Sequence, residues 1–162
     1  MKKTILILML LMGFTFLTQA QSKSVESLYN KYKNDKNFFH MDLAGSFLGI
    51  AEGMNINFGE ADMGALAKSV ERVKLFKLPV SGSMAKSDFR VLQKGLEREQ
   101  FEVMMEISEK DSGILMYSKG GTKIKDIVLL ISGEGTDDHM VISLEGEFDE
   151  QAIADAGQKV IR

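Results

Sequence analysis

Four apolar segments joined by short turns fill the stretch from residue 101 to residue 144, and this pattern constrains the fold most. The segments span 101–107, 114–118, 124–132 and 140–144, and glycine lies in each turn between them. Apolar residues in the first and last segments recur at every second position, which is typical of a β-strand. Segment 124–132 is apolar on both faces in its middle and is therefore expected to be a central strand. Short turns join neighbouring strands antiparallel, so the stretch predicts a β-meander.

Helical periodicity marks the segments that flank the meander. Apolar residues recur at helical spacing in 25–32 (with Ser24 as the expected N-cap), in 43–53, more weakly in 61–70, in 85–98 and in 152–160 after Asp149 as a cap. Short strands are expected at 38–42 and at 73–77, the second ending at Pro79. A meander buries one face only if other elements cover it, and these helices are the available cover. The expected fold class is therefore α+β, with an antiparallel meander covered on one face by helices.

The first twenty residues have the pattern of a secretory signal peptide. Lys2 and Lys3 precede an uncharged apolar run from 4 to 17, and Ala20 provides a small residue before the expected cut. A membrane anchor is the alternative, but a run of about 14 residues is shorter than the roughly 20 that a spanning helix needs. No Cys follows the cut, as a lipoprotein signal would require. We therefore expect a signal peptide over 1–20 and a single soluble domain over 21–162, exported to the periplasm or cell envelope without a membrane span.

Composition excludes several classes of function. The chain has 23 Asp+Glu against 20 Lys+Arg and a net charge of −3, which argues against a nucleic-acid partner. It has no Cys, so disulfides, thiolate nucleophiles and cysteine metal sites are excluded. No cofactor is indicated.

Few residues offer catalytic chemistry. Ser83 and Lys86 have the S-x-x-K spacing of serine β-lactamases, but the partner motifs are missing, and Ser83 is better interpreted as a helix cap. His40, His139 and Asp42 would make a metal site only if folding brought them together. Isolated histidines at strand ends are more often surface residues. No catalytic, cofactor-binding or metal-binding residue is therefore assigned.

Two charged groups near hairpin ends have a structural and a functional interpretation. Glu134, Asp137 and Asp138 crowd one loop, and such oxygens suit calcium, although their spacing matches no calcium loop and turn geometry explains them. Lys119, Lys123 and Lys125 form a small basic cluster, which is typical of a solvated hairpin that resists edge-to-edge aggregation.

The last third of the chain resembles a known family. The segments DIVLLISGEG at 126–135, MVISLEG at 140–146 and EFD at 147–149, with LYNKY at 28–32, look like those of the DUF4252 family. The resemblance runs from about residue 25 to the C-terminus. It implies a small exported bacterial protein with an α+β fold and no assigned activity, and it supplies no catalytic residues.

We therefore expect a non-enzymatic binding or interaction module of the cell envelope. Met104, Leu115 and Tyr117 are expected on a sheet face that the helices leave open, where a protein partner or a second copy would bind. The alternative is a small envelope hydrolase or metal-dependent enzyme that uses Ser83 or the pair His40 and His139. That alternative requires these residues to converge in a pocket.

Overall fold

Two helices and six strands make up the described part of the chain. The computed structural model describes residues 21–45, 69–108, 112–133 and 139–149. The helices are α1 (Lys23–Tyr32) and α2 (Gly82–Arg98). The strands are β1 (Phe39–Ala44), β2 (Val70–Lys77), β3 (Glu102–Ser108), β4 (Gly113–Gly120), β5 (Ile124–Ser132) and β6 (His139–Phe148). Neither helix is long and apolar enough to cross a bilayer.

The six strands form one antiparallel sheet in the order β1-β2-β6-β5-β4-β3. The predicted meander is confirmed as β3 to β6, and β5 is central as expected. The two earlier strands extend the sheet because β2 pairs with β6. The last of the six strands therefore lies in the interior of the sheet, and the predicted α+β class is confirmed.

The two helices lie antiparallel to each other on one side of the sheet. The start of α1 meets the end of α2, where Ser24 lies against Gly95, and Lys31 near the end of α1 bonds Asp88 of α2 at 2.7 Å. Each helix turns an apolar stripe toward the sheet. The stripes contain Val25, Leu28 and Tyr32 in α1 and Ala85, Phe89, Leu92 and Leu96 in α2.

Both predicted helix caps require correction. The N-cap of α1 is Ser22, whose hydroxyl oxygen accepts the Val25 N–H at 3.1 Å, whereas Ser24 is already inside the helix. The N-cap of α2 is Ser81, so Ser83 is the second residue of that helix. In each case the cap lies two residues earlier than predicted, because a helix starts where the chain first turns and not at its first apolar residue.

We call the side of the sheet under α1 and α2 the helix face. Its central positions are apolar, and Phe76, Val141, Leu130 and Leu115 stand side by side on β2, β6, β5 and β4. Phe76, Val141 and Leu130 are buried in the main core with the helix stripes, and Leu115 packs against that core.

We call the opposite side the outer face. Because side chains alternate along a strand, the residues between those of the helix face point outward. The apolar side chains of the outer face are Phe39, Met41 and Leu43 of β1, Val73 and Leu75 of β2, Met140, Ile142 and Leu144 of β6, Ile127, Leu129 and Ile131 of β5, Ile114 and Met116 of β4, and Met105 and Ile107 of β3. A second, smaller core cluster on this side contains Ile127 and Phe148.

Several sequence predictions fall wholly or partly outside the described residues. The helix predicted over 43–53 is wrong at its start, since Leu43 and Ala44 belong to β1, and the helix predicted over 61–70 is wrong at its end, since Val70 begins β2. The remainder of both predictions, the leader over 1–20, the acidic loop at 134–138 and the C-terminal helix lie outside the described residues.

Candidate functional site

A row of four charged residues crosses the helix face at one end of the sheet. Arg72, Glu145, Asp126 and Lys119 are paired neighbours on β2, β6, β5 and β4. Paired residues of antiparallel strands point to the same side of the sheet. We call these four residues the charged row, in which two carboxylates lie between two cations.

Helix α1 begins above the charged row. Lys74, two residues along β2 from Arg72, bonds Glu26 of α1 at 2.5 Å, and Phe76, two residues further, lies 5.8 Å from the ring of Tyr29. Helix α1 therefore runs away from the charged row as its residue numbers increase, and its first residues point back toward the row. The end of α2 lies at the same place, because Phe101, just after α2, lies 5.4 Å from the Lys119 ammonium.

Asp126 is the unusual member of the charged row. Its exposed fraction is 7 %, and its Oδ1 atom is buried without a hydrogen-bond partner in the described part of the protein. Burial and, to a smaller extent, the Glu145 carboxylate raise the pKa of the Asp126 carboxyl to about 6, against the opposite effect of Lys119 and Lys125. A buried carboxylate of this kind either holds a proton or accepts a cationic donor.

The two cations of the charged row have partners elsewhere. Arg72 donates two hydrogen bonds to Asp42, at 2.7 and 2.6 Å, and this contact lowers the pKa of the Asp42 carboxyl. Lys119 lies over the Phe101 ring. Neither cation donates a hydrogen bond to Asp126 Oδ1. The charged row thus contains a carboxylate that its own neighbours leave unpaired.

Glu99 at the end of α2 holds the start of α1. Its two carboxylate oxygens accept the N–H of Lys23 at 3.1 Å, the N–H of Ser24 at 2.8 Å and the Ser24 hydroxyl at 2.5 Å. A helix start leaves N–H groups without partners inside the helix, and a carboxylate there also matches the helix dipole. The first turn of α1 is therefore fixed by a residue 75 positions later in the chain.

The outer face is a second candidate site of a different kind. The apolar positions on β2 to β6 named above remain partly accessible except Ile127, which is buried with Ile124 and Phe148 in the smaller core cluster at one end of this side. On the edge strand β1, Phe39 and Met41 are exposed. The outer face thus presents apolar side chains to its surroundings across the full width of the sheet.

The expected placement of Met104, Leu115 and Tyr117 on an open sheet face is wrong for two of the three. Tyr117 has an exposed fraction of 2 % and lies in the core under the helices, and Leu115 packs against that core. Met104 is exposed, at a bulge of the edge strand β3 where the register shifts between Val103 and Met105. Both faces of the meander are apolar, so alternation alone did not show which face the helices cover.

The residues of the enzyme alternative lie in different settings. Ser83 is exposed in the first turn of α2. His40 is exposed on β1, stacked on Phe38 with ring centroids 5.4 Å apart. His139 is buried at the start of β6, edge-on to Phe89 at 5.0 Å. Strand β2 lies between β1 and β6, which separates the two histidines by about 10 Å or more.

Metal ligation by the residues singled out in the sequence has little geometric basis. Within the described ranges, no three His, Asp or Glu side chains are grouped as a metal site would need. Asp42, the expected third ligand beside the histidines, forms an ion pair with Arg72. Lys123 of the expected basic cluster pairs with Glu147 at 2.8 Å. These groups form ion pairs on the protein surface.

Comparisons with known proteins give one result. A family model described as "Domain of unknown function (DUF4252)" matches residues 32–156. No curated protein and no solved structure matches significantly.

Proposed function

This chain belongs to the family of the domain of unknown function DUF4252, whose description names no activity. We therefore propose a function from the chemistry of the protein's own surfaces. We propose that the protein is a non-catalytic binding module of the cell envelope, exported by a leader that is removed after Ala20. Its binding surface is the outer face, and its partner is a protein that covers this face. The observation that carries the proposal is the accessible apolar surface that all six strands share.

The size of the outer face supports this proposal. Five strand spacings of about 4.8 Å separate the two edge strands, and the two or three alternate apolar residues on each strand extend about 7–13 Å along it, so the outer face has an apolar footprint of roughly 150–300 Å². The largest apolar patch on the surface of a protein is often functional. The surface lies on regular strands, which hold its side chains in fixed positions.

The chemistry of the outer face indicates what kind of partner would bind. Its central strands present Leu129, Ile131, Ile142 and Leu144, which form no ion pairs and donate no side-chain hydrogen bonds. Recognition would depend on shape and on burial of apolar area, at roughly 25 cal/mol per Å². A partner with its own apolar sheet or helix face satisfies this requirement, and a second copy of the chain is a special case.

Site-specific crosslinking in intact cells tests the proposal. A photo-reactive amino acid replaces Ile142, in the middle of the outer face, in one strain, and Val91 in a control strain. Val91 is 68 % exposed on α2 and lies away from the outer face. We expect a discrete crosslinked protein from position 142 and none from position 91.

The outcomes of the crosslinking distinguish the occupants. An adduct with twice the mass of the chain identifies a second copy, and any other discrete adduct identifies a different protein. Equal labelling at both positions, or no adduct at position 142, contradicts the proposal. Sequencing the amino end of protein recovered from the same cells tests export, because removal of the leader leaves Gln21 as the first residue.

A further inference from the structure

The charged row lies at the end of the sheet over which α1 begins, and the proposed mature chain begins just before α1. Ser22, the cap of α1, is buried, and Gln21 directly before it is half-buried with its side-chain Nε2 inside the protein. The proposed cut after Ala20 falls next to this residue. Processing therefore places the new amino terminus at a residue whose side chain packs into the protein.

The direction of α1 points this terminus toward the charged row. Glu26 of α1 bonds Lys74 of β2, and Tyr29 of α1 lies against Phe76 of β2. Three residues along α1 therefore correspond to two residues along β2. The five residues from Glu26 back to Gln21 are more than one helical turn of about 5.4 Å, and successive positions on one face of a strand are about 6.6 Å apart. This extrapolation places Gln21 near the next positions along the sheet, which belong to the charged row.

Three other charged groups near the start of α1, those of Glu99, Arg72 and Lys119, already have partners. Glu99 accepts three hydrogen bonds from the first turn of α1. Arg72 is bound by Asp42, and Lys119 lies over an aromatic ring. Asp126 Oδ1 is buried without a donor. The acceptor that lacks a partner is thus a carboxylate, and the group that processing creates beside it is a cation with three N–H donors.

We propose that removal of the leader creates an α-ammonium group at Gln21 that binds the carboxylates of Asp126 and Glu145. The charged row is then the binding site of the chain's own amino terminus, and processing supplies the cation that this site lacks. This inference rests on the proposed export of the protein and not on the proposed partner of the outer face. Before processing, residue 21 contributes a neutral amide, and the two carboxylates lie side by side without this cation.

Two forms of the mature protein test the proposal. One form begins at Gln21 with a free amine, and the other carries Gly-Ser before Gln21, which leaves a neutral amide at that position. The titration midpoint of the Asp126 carboxyl is measured in both by carbon-13 NMR. Glu145, Lys119, Lys125 and Arg72 face this carboxyl equally in both forms. An ammonium group within about 4–6 Å lowers a carboxyl midpoint by about 1–3 pH units, so we expect a shift of that size in the free-amine form.

A stability cycle separates this contact from a general effect of the extension. We expect the free-amine form to have the higher urea midpoint at pH 7, Asp126→Asn to reduce that difference, and Asp126→Asn combined with Glu145→Gln to abolish it. Glu102→Gln on the exposed edge strand is the matched control and should leave the difference unchanged. Equal Asp126 midpoints in the two forms overturn the proposal, as does a urea difference that survives the combined Asp126→Asn and Glu145→Gln variant.

The state of the terminus is a further outcome. The amine of a terminal glutamine attacks its own side-chain amide carbon and expels ammonia, which yields a neutral ring. If protein from cells has lost one ammonia, or begins at another residue, no ammonium is available and the proposal is wrong. Gln21→Ala keeps the amine and cannot cyclise, so it confirms the contact if it shows the same lowered Asp126 midpoint. These measurements use purified protein, so they are independent of the crosslinking at the outer face.

Discussion

Replacing Asp126 by Asn should stabilise the protein at neutral pH. The prediction applies to a chain with further residues before Gln21, in which no ammonium group lies at that position. The Asp126 carboxyl has its pKa raised from 3.8 to about 6. A difference of about 2.2 pH units corresponds to about 3 kcal/mol at 1.36 kcal/mol per unit. This value is the upper limit of what the ionised carboxylate costs the folded state.

The sign of the effect follows from proton binding. Between pH 3.8 and about 6 the folded state keeps the Asp126 proton, whereas the unfolded state releases it. The contribution of this group to the free energy of unfolding therefore falls as pH rises through that window and stays low above it. Asn has a similar shape and no charge, so the variant should be more stable at pH 7.5 by up to about 3 kcal/mol and nearly unchanged near pH 4.

Urea unfolding of both chains from pH 4 to 7.5 measures this difference. Other carboxyls, among them Asp42 with its lowered pKa, titrate in both chains and cancel in the comparison. Glu102→Gln removes the same charge at an exposed position and should give a difference that does not change with pH. If Asp126→Asn is less stable than the parent at pH 7.5, or if its advantage is the same at every pH, the reasoning is refuted.

Three further substitutions test the packing by thermal or urea unfolding. Gly146→Ala should destabilise by about 1–3 kcal/mol, because its Cβ would lie 1.9 Å from a backbone carbonyl oxygen, whereas Gly121→Ala meets open space and serves as the control; equal effects would contradict this packing. Tyr32→Phe should cost about 1–3 kcal/mol, since the Asp88 carboxylate loses a buried hydroxyl donor, and an unchanged stability would show that this bond contributes nothing. Phe76→Ala should cost about 3–5 kcal/mol because Phe76 is fully buried in the main core, and a loss below 1 kcal/mol would contradict that burial.

The periodic elements of the fold were predictable from the sequence. Strand β5 was predicted with its exact ends, and the helix stripes of Val25 to Tyr32 and of Ala85 to Leu96 were found from spacing alone. Each of these segments follows a single hydrophobic period, and its tertiary contacts favour the same secondary structure that its local sequence favours. The caps were less predictable because Ser22, Ser24, Ser81 and Ser83 have the same chemistry.

The candidate sites depend on pairings that a single sequence does not specify. The charged row exists because β2 pairs with β6, so that Arg72 meets Glu145 across 73 positions in the chain. The sequence pattern placed Asp126 on a strand and Lys119 at the hairpin before it, but did not show which residues would face them. The prediction that Leu115 and Tyr117 lie on the open face was wrong for a related reason. Both faces of the sheet are apolar, so the sequence did not show which face the helices cover.

The position of β6 between β2 and β5 affects when the chain can fold. This strand leaves the ribosome after the other five, and until it arrives the pair β1-β2 and the hairpins of β3 to β5 remain separate pieces with open edges. A sheet whose interior strand is made last closes only after that strand has left the ribosome. For the export that we propose, this order means that the sheet cannot close before β6 is available, so the earlier strands stay open to transport as an extended chain.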